Sequence, residues 1–429
     1  MLQAGFARVN ITPPLGCPVD GYFKDRSAKG YLDTLELNAL ALSDGERRVV
    51  MIAGDVLGIM MEDVAVIKEL VSAATGLDNE HIVLSALHQH TSIFLKYQKA
   101  KNLPTEYVNI LYRKFADVAQ MALADLADAT LSTGEKETAE PIGFVRRYYL
   151  NNGKVATNPG KDVLPLVTGR CDESDNTVRV LRFTREGKKD IALLNFSTHP
   201  DVIGGEYYSA DWPGFARRFF EADVPDTACL FFTGTEGDSN HADFLGEKRS
   251  GYAHSRHMGR LVADAAIGVW GKMTPRACDR VDAKMTSIFN KSNTVGEEQY
   301  EQQKAMYEAF YAGTLDFKPT GEQLAFARRV IHIREEMGIY RELPITAVSL
   351  GDVVIVGFAG EPFTDYGREV RRVAGDKYAV TLCLTNGYQG YLPTAKAFAE
   401  GGYEAANSHF TPTLQKEAIG AVEALLQQF

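Results

Sequence analysis

Positive charge is in short supply in this chain: 46 Lys and Arg face 56 Asp and Glu, a formal net charge of −10. That balance excludes the basic face a nucleic-acid partner requires, and equally any pull toward an anionic membrane surface. Cysteine is scarce and unpaired. Cys17, Cys171, Cys229, Cys278 and Cys383 are odd in number, scattered, and never spaced as CxxC. A disulfide framework is thereby excluded and reduced thiols are expected. The amino terminus, MLQAGFARVNITPP, carries no charged region followed by an apolar stretch, and no apolar run approaches the length of a membrane span. A cytoplasmic protein without membrane insertion is the expectation. Also missing are GxSxG, HExxH, GxxxxGK[ST] and GxGxxG, so the common hydrolase, zincin and nucleotide-binding signatures do not apply.

What is present is a set of apolar runs that end on reactive side chains. IVLSAL (82–87) leads to His88 and His90, and ALLNF (192–196) to His199. LFF (230–232) leads to Glu236 and Asp238, VVIVGF (353–358) to Glu361, and VTLCL (380–384) to Tyr388 and Tyr391. Strands buried on both faces read as continuous apolar runs, and ligands sit beyond their carboxyl ends. Helical periodicity follows several of these runs, over 61–74, 105–127, 213–222, 363–374 and 413–427. The alternation predicts an α/β protein: a layered mixed β-sheet core flanked by helices. Residues 140–177, rich in Gly, Asn, Pro and Asp, read as a long ordered loop. Residues 296–340 read as two polar helices split at Pro319, a helical insertion within one domain spanning 1–429. Its aromatics (Tyr300, Tyr307, Phe310, Tyr311, Phe317) suit a pocket wall or a homo-oligomer contact. No sequence repeat is evident.

The side chains point to metal chemistry. His88 and His90 lie two apart, so on an extended backbone both imidazoles face one side. Histidine is the commonest metal ligand, and catalytic zinc favours His/His/Glu sets that leave a position for water. His199, in NFSTHPD, ends another strand. Glu361, in AGEPFTD, follows a strongly apolar strand, where a carboxylate needs a metal, a proton-transfer role or an exit to water. Asp238, Asn240 and His241, in GDSNHAD, form a polar group open to three readings: a second metal site, a shell orienting the first, or a polar loop. His81, His254, His257, His332 and His409 read as surface or structural residues.

Taken in order, LSALHQHTS, NFSTHPD, YSADWPG, TGTEGDSNH, AGEPFTDYGREVR and NGYQGYLPT with GGYEAAN resemble the amino-terminal catalytic domain of the neutral/alkaline (non-lysosomal) ceramidase family. The resemblance runs from residue 5 to about 407. It implies one zinc ion per chain, held by His88, His199, Glu361 and Tyr391, with His90 as proton carrier beside it. Tyr391 is preferred over Tyr388 because Tyr403 then falls at the family's spacing for a second active-site tyrosine. The family's arginine matches Arg146 or Arg147, with Arg147 preferred, and Asp238, Asn240 and His241 take supporting places. Two departures matter. GDSNH puts Asn240 in the register of the family's serine, with Ser239 one residue early, which favours metal-activated water over a serine nucleophile. HTSIF replaces an HTHSGP-like continuation. The family's carboxy-terminal immunoglobulin-like domain and secretion signal have no counterpart, so a soluble substrate is expected in place of membrane ceramide. The expected activity is zinc-dependent hydrolysis of a small N-acyl amide. The alternatives are a zinc esterase, lactonase or deacetylase, and a two-metal phosphoesterase using His88, His90, Asp238 and His241.

Overall fold

A computed structural model describes every residue except Thr320, which falls within the expected insertion. Strand Gln3–Asn10 pairs antiparallel with Glu36–Ser43, and that strand pairs antiparallel with Arg48–Gly54. The chain then crosses through helix Met61–Thr75 to Ile82–Ala86, laid parallel to Arg48–Gly54, and closes with helix Thr105–Ala124. The second unit repeats this order: Ala127–Glu137, Thr177–Arg185, Asp190–Phe196, crossover helix Asp211–Asp223, parallel strand Thr227–Thr233, closing helix Tyr252–Trp270. So does the third: Val281–Lys291, Tyr340–Leu350, Val353–Phe358, Thr364–Ala374, Tyr378–Leu382, Leu414–Leu426. In each unit the two helices pack on one another. The repeat is one of topology; the sequence carries no trace of it, because strand order needs only matching polarity patterns.

The first two units join edge to edge through Gln3–Asn10 and Ala127–Glu137 into one nine-stranded mixed sheet. The third is a separate four-stranded sheet, tied to the others where Ser85 bridges Thr385 and the Cys383 amide donates to the Thr233 carbonyl at 3.1 Å. The expected mixed sheet core flanked by helices is what the chain forms. Alternation explains the apolar runs. In the first unit Val50, Ile52, Ile82 and Leu84 face the helices, while Val49, Met51 and Val83 face a core shared with the other units. That shared core takes Trp212, Phe220 and Met258 from the second unit and Val348, Val353 and Ile355 from the third. Burying such a side chain stabilises by roughly 1.5–3 kcal/mol, and truncating the fully buried Ile52 to alanine would cost about 2–5 kcal/mol.

The hairpin registers place three excursions on one side of the molecule. Residues 11–35, 138–176 and 292–339 each join the first two strands of a unit. Each leaves and returns at the end where that unit's parallel strands finish: Asn10 pairs Glu36, Glu137 pairs Thr177, and Lys291 pairs Tyr340. The second excursion is not the irregular loop its composition suggests. It holds a three-stranded sheet of Arg147–Leu150, Val155–Thr157 and Val167–Arg170, strands too short to show periodicity. The third carries helices Glu297–Ala312 and Gly321–Glu335. Its Tyr311 and Phe317 are exposed, and Tyr300 packs near Val295, Val330 and Ile333. Among the described residues no helix is long and apolar enough to cross a membrane.

Candidate metal centre

Three parallel strand pairs end in one place, and each delivers a candidate ligand just beyond its last residue. His88 follows Ile82–Ala86, His199 follows Asp190–Phe196, Glu236 follows Thr227–Thr233, and Glu361 follows Val353–Phe358. One donor atom from each of these four buried side chains lies within 4.8 Å of the others. The backbone at His88 is not the extended one expected: the strand has ended, and φ is 73°, a left-handed value uncommon for a residue with a Cβ. Such geometry persists only where neighbours hold it. Here the His88 amide donates to the Val56 carbonyl at 3.0 Å.

The tautomers follow from the hydrogen bonds. His88 donates from Nδ1 to the Leu57 carbonyl at 2.7 Å, and His199 donates from Nδ1 to the carbonyls of Glu236 (2.7 Å) and Ser239 (2.9 Å). A carbonyl can only accept, so each Nε2 is left with its lone pair. Oε2 of Glu361 lies 3.3 Å from Nε2 of His199 and 3.6 Å from Nε2 of His88, and this oxygen has no hydrogen-bond partner. Three acceptors thus face one another in a buried space, which is unfavourable unless a cation or proton lies between them. In a tetrahedral site with bonds of about 2.0–2.1 Å, neighbouring ligand atoms sit about 3.3–3.4 Å apart. The residues present fit a small metal ion.

Charge is partitioned across the site. Burial works to raise the Glu361 carboxyl, yet His88, His199 and Arg146 draw it down to about 2. Burial, then the charge of Glu361, pushes Glu236 well above the carboxylate range, and neither Glu236 oxygen has a partner. One carboxylate is ionised and its neighbour protonated, as expected of two acids sharing a small space. Burial and the adjacent imidazoles of His88 and His199 hold His90 far below its ordinary value, so it is neutral at pH 7. Its ring centroid lies 5.0 Å from that of His88 and 5.9 Å from that of His199, and both its nitrogens lack partners. Asp201, with Oδ1 3.6 Å from Nδ1 of His90, also accepts from the Tyr22 hydroxyl.

Several expected residues take other places. Of the adjacent arginines it is Arg146, not Arg147, that reaches the ligands: Nη1 lies 3.4 Å from Nε2 of His199. Arg146 stands between the short strands Phe144–Val145 and Arg147–Leu150, whereas Arg147, equally buried, is taken up by Glu400 (3.2 Å), Glu404 (3.4 Å) and the Gly401 carbonyl (2.8 Å). Tyr388, the tyrosine passed over above, donates to Oε1 of Glu361 at 3.0 Å. Tyr391 pairs with Glu361 through the backbone and lies under the Arg146 guanidinium, 5.3 Å from its ring, with Tyr403 at 5.7 Å. Burial, then Glu361, keeps Tyr388 and Tyr391 protonated, and burial raises Tyr403 to about 12.

Asp238 accepts from the amide and hydroxyl of Thr364, both at 2.8 Å, and so holds the start of the third crossover helix. Asn240 accepts from the His241 amide, and the His241 ring lies 6.0 Å from that of His254. Neither Asp238 nor His241 joins the donor group, contrary to the two-metal alternative. Ser239 donates to the Thr198 hydroxyl at 3.1 Å, with no histidine nitrogen or carboxylate bonded to its oxygen. His332 and His409, read above as structural, gather with Glu336 into a further donor group.

The 11–35 excursion closes over His90. A Cβ at Gly21 (φ 112°) would stand 2.8 Å from the Cα of His90, so only glycine allows this approach. Arg26 donates to the His90 carbonyl at 2.7 Å. Tyr22, Asp201 and Arg26 carry no mark of a site residue in the sequence. Glu236, at the end of an apolar run, does carry one, although the family resemblance gives it no ligand place.

No protein-family description matches the sequence, and no curated protein matches it significantly. Among solved structures, the chain is similar to the neutral ceramidase of Pseudomonas aeruginosa over 100% of its own length and 75% of that chain, with a TM-score of 0.74 and 16% identity. It is similar to a ceramidase complexed with C2 over 99% of its length and 74% of that chain, with a TM-score of 0.72 and 16% identity. At that identity what is shared is the arrangement of the backbone: this chain has the ceramidase fold.

Proposed function

We propose that this chain is a zinc-dependent hydrolase that cleaves the amide bond of a small N-acyl substrate, with all three units acting as one catalytic domain. The observation that carries the reading is the meeting of three buried acceptors, with Oε2 of Glu361, itself without a hydrogen-bond partner, 3.3 Å from Nε2 of His199 and 3.6 Å from Nε2 of His88. Two histidines and a carboxylate suit catalytic zinc, and both solved relatives bear the name of an amide-cleaving enzyme. When bound, zinc supplies Lewis acidity and brings the pKa of a bound water down toward ~7.

The chain's own residues do the rest. His90, neutral and without partners, accepts a proton from the attacking water and returns it to the leaving nitrogen. Asp201, with Oδ1 3.6 Å from Nδ1, is placed to hold the ring once it carries the proton. Arg146, beside His199, and the protonated phenol of Tyr403, packed against Tyr391, meet the negative charge that develops on the carbonyl oxygen. Tyr388 fixes Glu361 by occupying Oε1. The five free thiols accord with a reducing compartment. The test is turnover of paired N-acyl amides and esters before and after chelation. Amide cleavage lost on chelation and restored by zinc supports the reading; ester cleavage alone, or turnover indifferent to chelation, contradicts it.

A further inference from the structure

Each of the three excursions over the centre contributes an arginine. Arg26 bonds to the carbonyls of Asp20, His90 and Gly205. Arg146 pairs with Glu404 at 2.8 Å. Arg329 comes from helix Gly321–Glu335, whose Val330 and Ile333 are buried and which packs on the short helix Tyr403–Asn407. Its charge acts on the phenols of Tyr388 and Tyr403, and Arg341 is a further charged neighbour. Arg341 is already paired with Glu336, which His332 and His409 also approach at 3.2 and 3.5 Å. Among the described residues Arg329 has no carboxylate, carbonyl or hydroxyl to accept from it. It is, among the described residues, a half-buried cation without a counter-ion, and Tyr388, on which its charge acts, donates to Glu361.

The donor group of His332, Glu336 and His409 beside it does not invite a metal instead. Arg341 occupies Glu336 and lies 3.3 Å from Nε2 of His332, and Arg329 and Lys99 add positive charge around both imidazoles. The field at this end of the site is positive, and it calls for an anion.

We propose that Arg329 binds a carboxylate on the substrate, and that the substrates are N-acyl compounds carrying that carboxylate close to the scissile amide, as N-acyl amino acids do. The proposal rests on the amide-hydrolase reading above. The guanidinium fork matches a carboxylate's two oxygens. One uncompensated arginine balances a single negative charge, whereas a phosphate monoester brings about −1.5 to −2.

Binding is measured by calorimetry on the zinc-loaded protein with an uncleavable ketone, in which a methylene replaces the amide nitrogen of N-hexanoylglycine. The ketone is used as the free acid and as its neutral primary amide. The acid is expected to bind at least about tenfold more tightly, a preference that Arg329→Gln abolishes and Arg329→Lys partly retains. Equal binding of acid and amide to the wild type, or an unchanged preference in Arg329→Gln, overturns the proposal. Should Arg329→Gln fail to fold, the wild-type comparison and Arg329→Lys decide. Turnover of N-hexanoylglycine and N-hexanoylglycinamide separates the two ideas. Preferential binding without cleavage of either removes the hydrolase reading and leaves Arg329 assigned; cleavage of both with equal binding does the reverse.

Discussion

The hydroxyl of Tyr388 donates to Oε1 of Glu361 at 3.0 Å, and so leaves Oε2 as the oxygen that faces His88 and His199. A donor behind a ligating carboxylate fixes which oxygen it presents. Tyr388→Phe keeps the ring and removes that donor. It is expected to weaken metal affinity about 10- to 100-fold without unfolding the protein, read by competition against a chromophoric chelator. Unchanged affinity would show that packing alone holds Glu361.

Ser239 supplies its carbonyl, not its hydroxyl, to His199. Ser239→Ala should therefore leave amide hydrolysis within about threefold of wild type. Turnover on one N-acyl amide is the measurement, and loss of most of it with the fold intact would return the serine to the mechanism.

Beneath the His88–His90 segment, Asp55 is buried in a two-pronged pair with Arg217 at 3.0 and 2.7 Å. The same carboxylate accepts from Gln89 at 2.7 Å, the residue between the two histidines. Arg217→Met strands that charge in the core and should cost about 3–5 kcal/mol in denaturant unfolding. The double change Arg217→Met with Asp55→Leu should recover part of the loss.

Lys68 gives the fold a pH dependence of readable sign. Buried, with the Asn79 carbonyl as its oxygen partner at 2.9 Å, its amine is brought by desolvation from 10.5 down to about 7. Between those values the unfolded chain binds the proton more tightly than the folded one, so stability rises with pH from about 7 toward 10.5 and the burial penalty is complete below 7. Lys68→Met should be the more stable protein at pH 6 to 7 and should lack the alkaline rise attributable to this group. Thermal or urea unfolding across that range checks it.

How much of this was legible in the sequence depended on what each residue follows. His88, His199 and Glu361 stand just beyond continuous apolar runs, and parallel strands buried on both faces write such runs directly into the chain. Arg146 and Arg147 could not be told apart, since both are buried and which of them reaches the histidines depends on where a four-residue strand begins. Glu236 is visible at the end of an apolar run, but the family resemblance assigns it no ligand place. Tyr22 and Arg329 come from excursions and Asp201 from the segment after strand Asp190–Phe196, all folded against the sheets beneath them, and nothing local marks where their side chains end. The threefold topology left no repeat because equivalent strands share polarity and burial, not residues.

The central claim is that His88, His199 and Glu361 hold one zinc ion, and elemental analysis of the purified protein tests it most directly. About one zinc per chain is expected in the wild type and in Ser239→Ala, falling below about a tenth in His88→Ala and Glu361→Gln while circular dichroism shows the fold retained. Stoichiometric metal in either of those two folded variants, or a fully active wild type without metal, would contradict it.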